Sequence, residues 1–204
     1  RRISDELKKK LLVARDARNF AIKHLGLPSN SSYTKYADID REYVVWNVIV
    51  ASEFSLELEK SCFPIAGCVD YRGFYKKISA EKYVKNKVRP YNSEFSILGV
   101  PAYSTLGWSN WLGGDPVLNT FIDGGESQIV GLIFHELAHQ KLYVKNDTAF
   151  NESFATAVER IGLEEWFRSK ENPQSINEYK ANLEKKKLIK NILLDSANNL
   201  KILY

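Results

Sequence analysis

Residues 131 to 140 read GLIFHELAHQ, and within them His135, Glu136 and His139 form an H-E-x-x-H pattern. No other stretch constrains the chain as much, because on a helix this spacing already amounts to a site. Residues four apart share one helix face, one turn above each other. His135 and His139 can therefore offer two imidazole nitrogens to one metal ion at about 2.0–2.1 Å. Glu136 sits about 100° around the helix, within reach of a water at the metal without being a ligand. Zinc lowers the pKa of such a water to roughly 7, and a glutamate beside it can act as general base. Leu132, Ile133 and Phe134 before the motif and Leu137 and Ala138 within it suit a helix that packs on most sides. The plain alternative is an amphipathic helix whose histidines happen to fall four apart.

A third ligand is available downstream. DTAFNESFATAVERIG, from Asp147, reads as a helix entering near Asn151 and stopping at Gly162, a favoured N-cap and a favoured C′ residue. Glu152, Thr156 and Glu159 share one face of it. Glu152 completes a set of two histidines and one glutamate, one Zn2+ per chain, with the fourth position open to water. Glu159, two turns on, is a candidate to orient a ligand histidine through its far nitrogen, the alternative being a solvated surface charge. Asn151, beside Glu152, is a candidate supporting residue.

H-E-x-x-H followed by N-E-x-F-A and a further glutamate resembles the gluzincin metallopeptidases. Over most of its length the chain resembles a bacterial family described as "putative aminopeptidase". The stretches that carry this are SSYTKYADIDREYVVWNVIVA, CFPIAGCVDYRGFY, GVPAYSTLGW, DPVLNTFI and IFHELAHQKLYVKNDTAFNESFATAVE. By similarity the metal ligands map to His135, His139 and Glu152, and the base to Glu136. The resemblance implies a zinc-dependent peptidase acting on peptides, with a lipoprotein-type export signal ahead of the domain and further sequence after it. The expectation is a processed or trimmed chain in the periplasm or cell envelope, meeting the membrane only through an N-terminal lipid anchor that this sequence does not carry. Two departures stand out. Twelve residues separate His139 from Glu152, fewer than in the larger gluzincins, and no G-x-M-E-N segment for a substrate amine occurs.

Cys62 and Cys68 flank FPIAG. The residues alone leave two options, a small disulfide loop or two thiols. The exported character that the resemblance implies favours the disulfide.

At 204 residues, 44% hydrophobic and 12% aromatic, the chain is long and apolar enough for a sizeable core. No apolar run reaches the length of a membrane span. The net charge of +4 draws partly on the EKKKLIKN tail, which reads as a solvated helix face rather than a nucleic-acid patch. The expected architecture is one α+β, zincin-like domain over 1–204. It would have an N-terminal helix and sheet in 1–115, and the zinc-binding helices and a helical tail in 116–204.

Along the chain, residues 4 to 25 read as an amphipathic helix capped by Ser4 and ended by Gly26 and Pro28. YVVWNVIVA, EFSLEL and FSILGVPAYST read as strands, CFPIAGCVDYRGFY as irregular. SAEKYVKNKV reads as a helix capped by Ser79, and Asp115 to Asp123, Gly125 to Leu142 and Ser175 to Tyr204 as further helices. By resemblance, Val100 to Thr105 (Val100, Ala102, Tyr103, Ser104 and Thr105 among them) forms the edge strand that pairs with an extended substrate. The reacting oxyanion needs a second donor, and Tyr103 or Tyr71 is the candidate. Glu126 and Asp123 are candidates to meet a free substrate amine, or plain dipole partners at a helix start. The competing reading is a catalytically silent envelope protein that uses zinc for stability and its surface for binding.

Overall fold

Leu7, Leu11, Ala14, Ala17 and Ala21 recur at helical spacing, and this stripe forms helix α1, Asp5–His24, with the three alanines fully buried. Ser4 caps it, its hydroxyl accepting from the Leu7 N–H at 3.2 Å. The computed structural model describes residues 3–63, 67–91, 93–102, 114–145, 147–171 and 173–204. After α1 come strands β1 (Tyr36–Ala37), β2 (Val45–Ser52), β3 (Ser61–Phe63), β4 (Gly67–Val69) and β5 (Arg72–Phe74). Helix α2 (Lys77–Tyr83) continues through tighter and wider turns at Val84–Tyr91 into β6 (Ser93–Val100). β7 (Val117–Leu118), α3 (Asn119–Ile122), α4 (Glu126–Lys141), α5 (Thr148–Ser169) and α6 (Pro173–Leu203) follow. The class is α+β, as the sequence leads one to expect, with small sheets among long helices.

The chain falls into two compact units. The first comprises Arg1–Glu42 and Ala102–Tyr179. Its core is the packing of α1 and α5 against α4, where Ile129, Ile133, Phe134, Leu137 and Leu163 are fully buried. Phe20 of α1 stacks on Phe134 and meets Trp166 edge-on, with ring centroids 6.0 and 5.4 Å apart. A short parallel pair, β1 with β7, ties the chain after α1 to the start of α3.

The second unit comprises Tyr43–Pro101 and Lys180–Tyr204. β2 lies between β5 and β6, antiparallel to both, in a register running from Val45↔Val100 to Ser52↔Ser93. Val48 and Val50 from β2 pack with Ala80, Val84 and Val88 as a buried cluster. β6 is an edge of this sheet. β3 and β4 form a hairpin whose opposed Cys62 and Cys68 are joined as a disulfide. None of the helices, among the described residues, is long and apolar enough to cross a membrane.

Several local expectations change. EFSLEL is not a strand. The chain reverses at Phe54, whose φ is 59°, with the Ser55 N–H bonded to the Ser52 carbonyl, and one bridge, Ala51↔Leu58, is all that remains of the pairing. CFPIAGCVDYRGFY holds three short strands rather than none. Asp115 to Asp123 gives one helical turn, because Val117 and Leu118 are used in pairing with β1. Ser79 lies inside α2, whose N-cap position is Lys76. Finally, α5 starts earlier and ends later than its composition suggests. Asp147 caps it by accepting from the Phe150 N–H at 2.9 Å, and Gly162 lies in its interior. A side chain there would collide with Phe134 Cδ2 at 2.6 Å and Leu25 Cδ1 at 2.7 Å, so the glycine serves a close helix crossing rather than a stop.

Gly162→Ala should therefore destabilise the protein by about 1–3 kcal/mol despite alanine's better helix propensity, as read from denaturant midpoints. A second expectation concerns Tyr179, buried against Phe167 with its hydroxyl lacking a hydrogen-bond partner among the described residues. Burial, reinforced by the Glu159 charge, pushes its pKa from 10.0 up to about 12. The folded chain keeps this phenol neutral while the unfolded chain ionises it, so its contribution is intact below pH 10 and is lost as pH rises toward 12. Tyr179→Phe should be neutral or stabilising by up to about 1 kcal/mol at pH 7. It should also flatten the alkaline loss in unfolding curves taken on either side of pH 10.

Candidate metal centre

α4 carries H-E-x-x-H in its last two turns. The helix begins where the Gly125 N–H donates to Gln128 Oε1 at 3.1 Å, and its apolar faces are buried from Ile129 to Ala138. His139 is buried and His135 is half-buried, their rings edge to face at 4.8 Å. α5 crosses this helix closely. A side chain at Gly131, one turn before His135, would meet Leu163 Cδ1 at 3.0 Å and Glu159 Cγ at 3.3 Å.

Across that crossing, Glu159 Oε2 lies 3.2 Å from His135 Nδ1. With the Nδ1 proton directed to Glu159, the lone pair of His135 Nε2 faces the other way, where His139 Nε2 stands 3.1 Å off. Glu152 closes the group, its two oxygens 3.3 Å from His135 Nε2 and 3.4 Å from His139 Nε2. The two Glu152 contacts use different oxygens, Oε2 to His135 and Oε1 to His139, and with one atom from each residue the three lie within 4.8 Å of one another, close enough to share an ion. Among the described residues, His135, His139 and Glu152 form the group able to hold a metal ion. Two imidazoles and one carboxylate are a donor set that suits zinc.

The electrostatics of the two rings differ. Burial works against a charged His135 ring, but the Glu159 hydrogen bond and the charges of Glu136, Glu152 and Glu159 outweigh it and hold its pKa above the ordinary value. His139 goes the other way, because burial lowers it, and the Glu152 charge does not overcome burial plus the neighbouring His135. Tyr33, buried in unit one, has its pKa raised well above the usual phenol range by burial, then by Glu136 and Asp115.

Of the two readings the sequence left open for Glu159, the structure places its carboxylate against His135 Nδ1 rather than in solvent alone. Asn151 does not reach the ligands. Its side chain is spent on Val144, accepting from that N–H and donating to that carbonyl, both at 2.8 Å, which clamps the α4–α5 connection. Glu126 accepts from Trp166 Nε1 at 2.8 Å, and Asp123 pairs with Lys10 at 2.9 Å, so each of these carboxylates is engaged in structure. Val100 closes β6 and Tyr71 lies in the same unit, while Tyr103, Ser104 and Thr105 lie outside the described residues. The sequence reading missed Tyr33, Asp115 and Gln140. Gln140 alone carried a usable signal, standing four residues after Glu136.

A helix pair that brings two histidines and a glutamate together, with Glu159 behind one of them, could hold a metal ion. The chain belongs to the "putative aminopeptidase" family, whose model matches residues 1–204. By that description it is a peptidase. No curated protein and no solved structure matches it.

His139→Ala should abolish metal binding, and Glu159→Gln should weaken it about 10–100-fold while leaving the fold intact, measured by chelator competition and elemental analysis.

Proposed function

We propose that this protein is a zinc-dependent peptidase that removes residues from the amino terminus of peptides. The observation that carries this reading is the convergence of His135 Nε2, His139 Nε2 and the Glu152 carboxylate, with contacts of 3.1 to 3.4 Å and both histidines on the helix that also carries Glu136. His135, His139 and Glu152 would hold the ion. When bound, zinc supplies a Lewis acid that polarises the scissile carbonyl and brings the pKa of a water to about 7.

The chain's own residues do the rest. Glu136, next to His135 on α4, takes a proton from the attacking water and returns it to the leaving amine. Glu159 holds His135 in the tautomer that leaves Nε2 free and fixes the ring. Glu152 is 56% exposed, which leaves the ligand set open on one side to a peptide. The family supports the aminopeptidase reading. The Cys62–Cys68 disulfide supports an oxidising location, the periplasm or cell envelope.

Glu136→Gln should cut kcat by about 10²–10⁴-fold with metal content and melting temperature unchanged. Peptide pools with free and acetylated amino termini test the exopeptidase reading. Cleavage should be confined to free termini, and cleavage of blocked peptides at internal bonds would replace it with an endopeptidase.

A further inference from the structure

Glu136 and Gln140 stand one turn apart on the same face of α4, and the Gln140 amide is held by groups from two other segments. Asn30 Nδ2 donates to its oxygen at 2.6 Å, and its Nε2 donates to Ser32 Oγ at 3.3 Å and Asp115 Oδ2 at 3.2 Å. The Asp115 N–H donates to Ser32 Oγ at 3.1 Å, and the Tyr33 N–H donates to the Asp115 carbonyl at 2.6 Å. From α1, Arg18 Nε donates to the Ser32 carbonyl at 2.8 Å, and its guanidinium also reaches the Asn30 carbonyl. Ser32, Tyr33 and Asp115 are all buried.

This buried polar seat holds one residue in an uncommon state. Tyr33 has φ of 61°, in the left-handed region that bulky side chains seldom adopt. Such a conformation persists only where its surroundings over-determine it, and such strain clusters at functional sites. The helical phase of α4 puts the seat on the Glu136 face. The same proximity appears in the charges that act on the Tyr33 phenol, Glu136 ahead of Asp115.

We propose that Tyr33 is a positioning residue: its ring, seated on the Glu136–Gln140 face of α4, walls the Glu136 side chain and keeps the carboxylate turned toward the His135 and His139 nitrogens. A glutamate has several freely rotating bonds, and a base that must first be ordered loses rate. The proposal rests on reading Glu136 as the base.

The test is acetohydroxamate binding to the zinc-loaded protein by calorimetry, since this probe gives up its hydroxyl proton to the base when it binds. Tyr33→Leu should weaken binding about tenfold, and Tyr33→Phe, which keeps the ring, should stay within about threefold of the parent. In Tyr33→Leu/Glu136→Gln the loss should be no larger than in Glu136→Gln alone, because a residue acting through another is not additive with it. Zinc content and melting temperature are measured in parallel. If Tyr33→Leu folds poorly, Ser32→Ala, which loosens the seat, carries the same cycle with a smaller expected loss. Parental affinity in the seat variants, or losses that add to that of Glu136→Gln, would overturn the proposal while leaving Glu136 as base. Parental affinity in Glu136→Gln itself would remove the base reading, and the role of Tyr33 with it.

Discussion

The crossing of α4 and α5 sets the tolerance of everything near the candidate site. Each helix brings a glycine to the crossing. Gly131 makes room for Leu163 and the stem of Glu159, and Gly162 makes room for Phe134. Protein interiors are packed so densely that an added methyl moves its neighbours by tenths of an ångström or more. The Glu159–His135 bond and the two Glu152–histidine distances all span this crossing. A shift that the apolar core could absorb would still open the donor set, so core packing and ligand geometry are one constraint.

Charge balance is the second constraint. Glu136, Glu152 and Glu159 all press their charge on His135. Burial resists a positive ring, yet the three carboxylates prevail at His135, while at His139 the Glu152 charge alone does not overcome burial and the neighbouring His135, and its buried Nδ1 lacks a hydrogen-bond partner among the described residues. The two histidines are therefore unlike partners. His135 meets a carboxylate of α5 on each of its nitrogens, while His139 meets Glu152 through Nε2 and has its Nδ1 buried.

What could be read in the sequence follows a simple physical division. The ligands, Glu136 and Glu159 are linked by helical spacing within two segments, and α1 announces itself through Ser4 and its alanine stripe. Such signals are local. Gly162 misled because a glycine that ends a helix and one that lets two helices meet look alike until the second helix is in place. Asn151 misled because its cap-like chemistry is used on Val144 instead. Tyr33, Asp115 and Gln140 come together from three distant segments, through hydrogen bonds spanning 25 to 110 positions, and no periodicity links them. β1 and β7 are two residues each, too short for any pattern.

The unequal exposure of the candidate ligands bears on how a metal would reach them. The apolar contacts that hold α4 to α5, from Ile133 and Phe134 to Leu163, need no ion to form, and the one ligand from α5 faces outward. Small zinc modules collapse only around their metal, because without it they have no core to speak of. Here the apolar core joins the two helices without the candidate ligands, and a metal taken up by the group would pass Glu152, its exposed member. Under the proposed function, folding and metal loading would then be separable, and the supply of metal in the surroundings would set when activity begins.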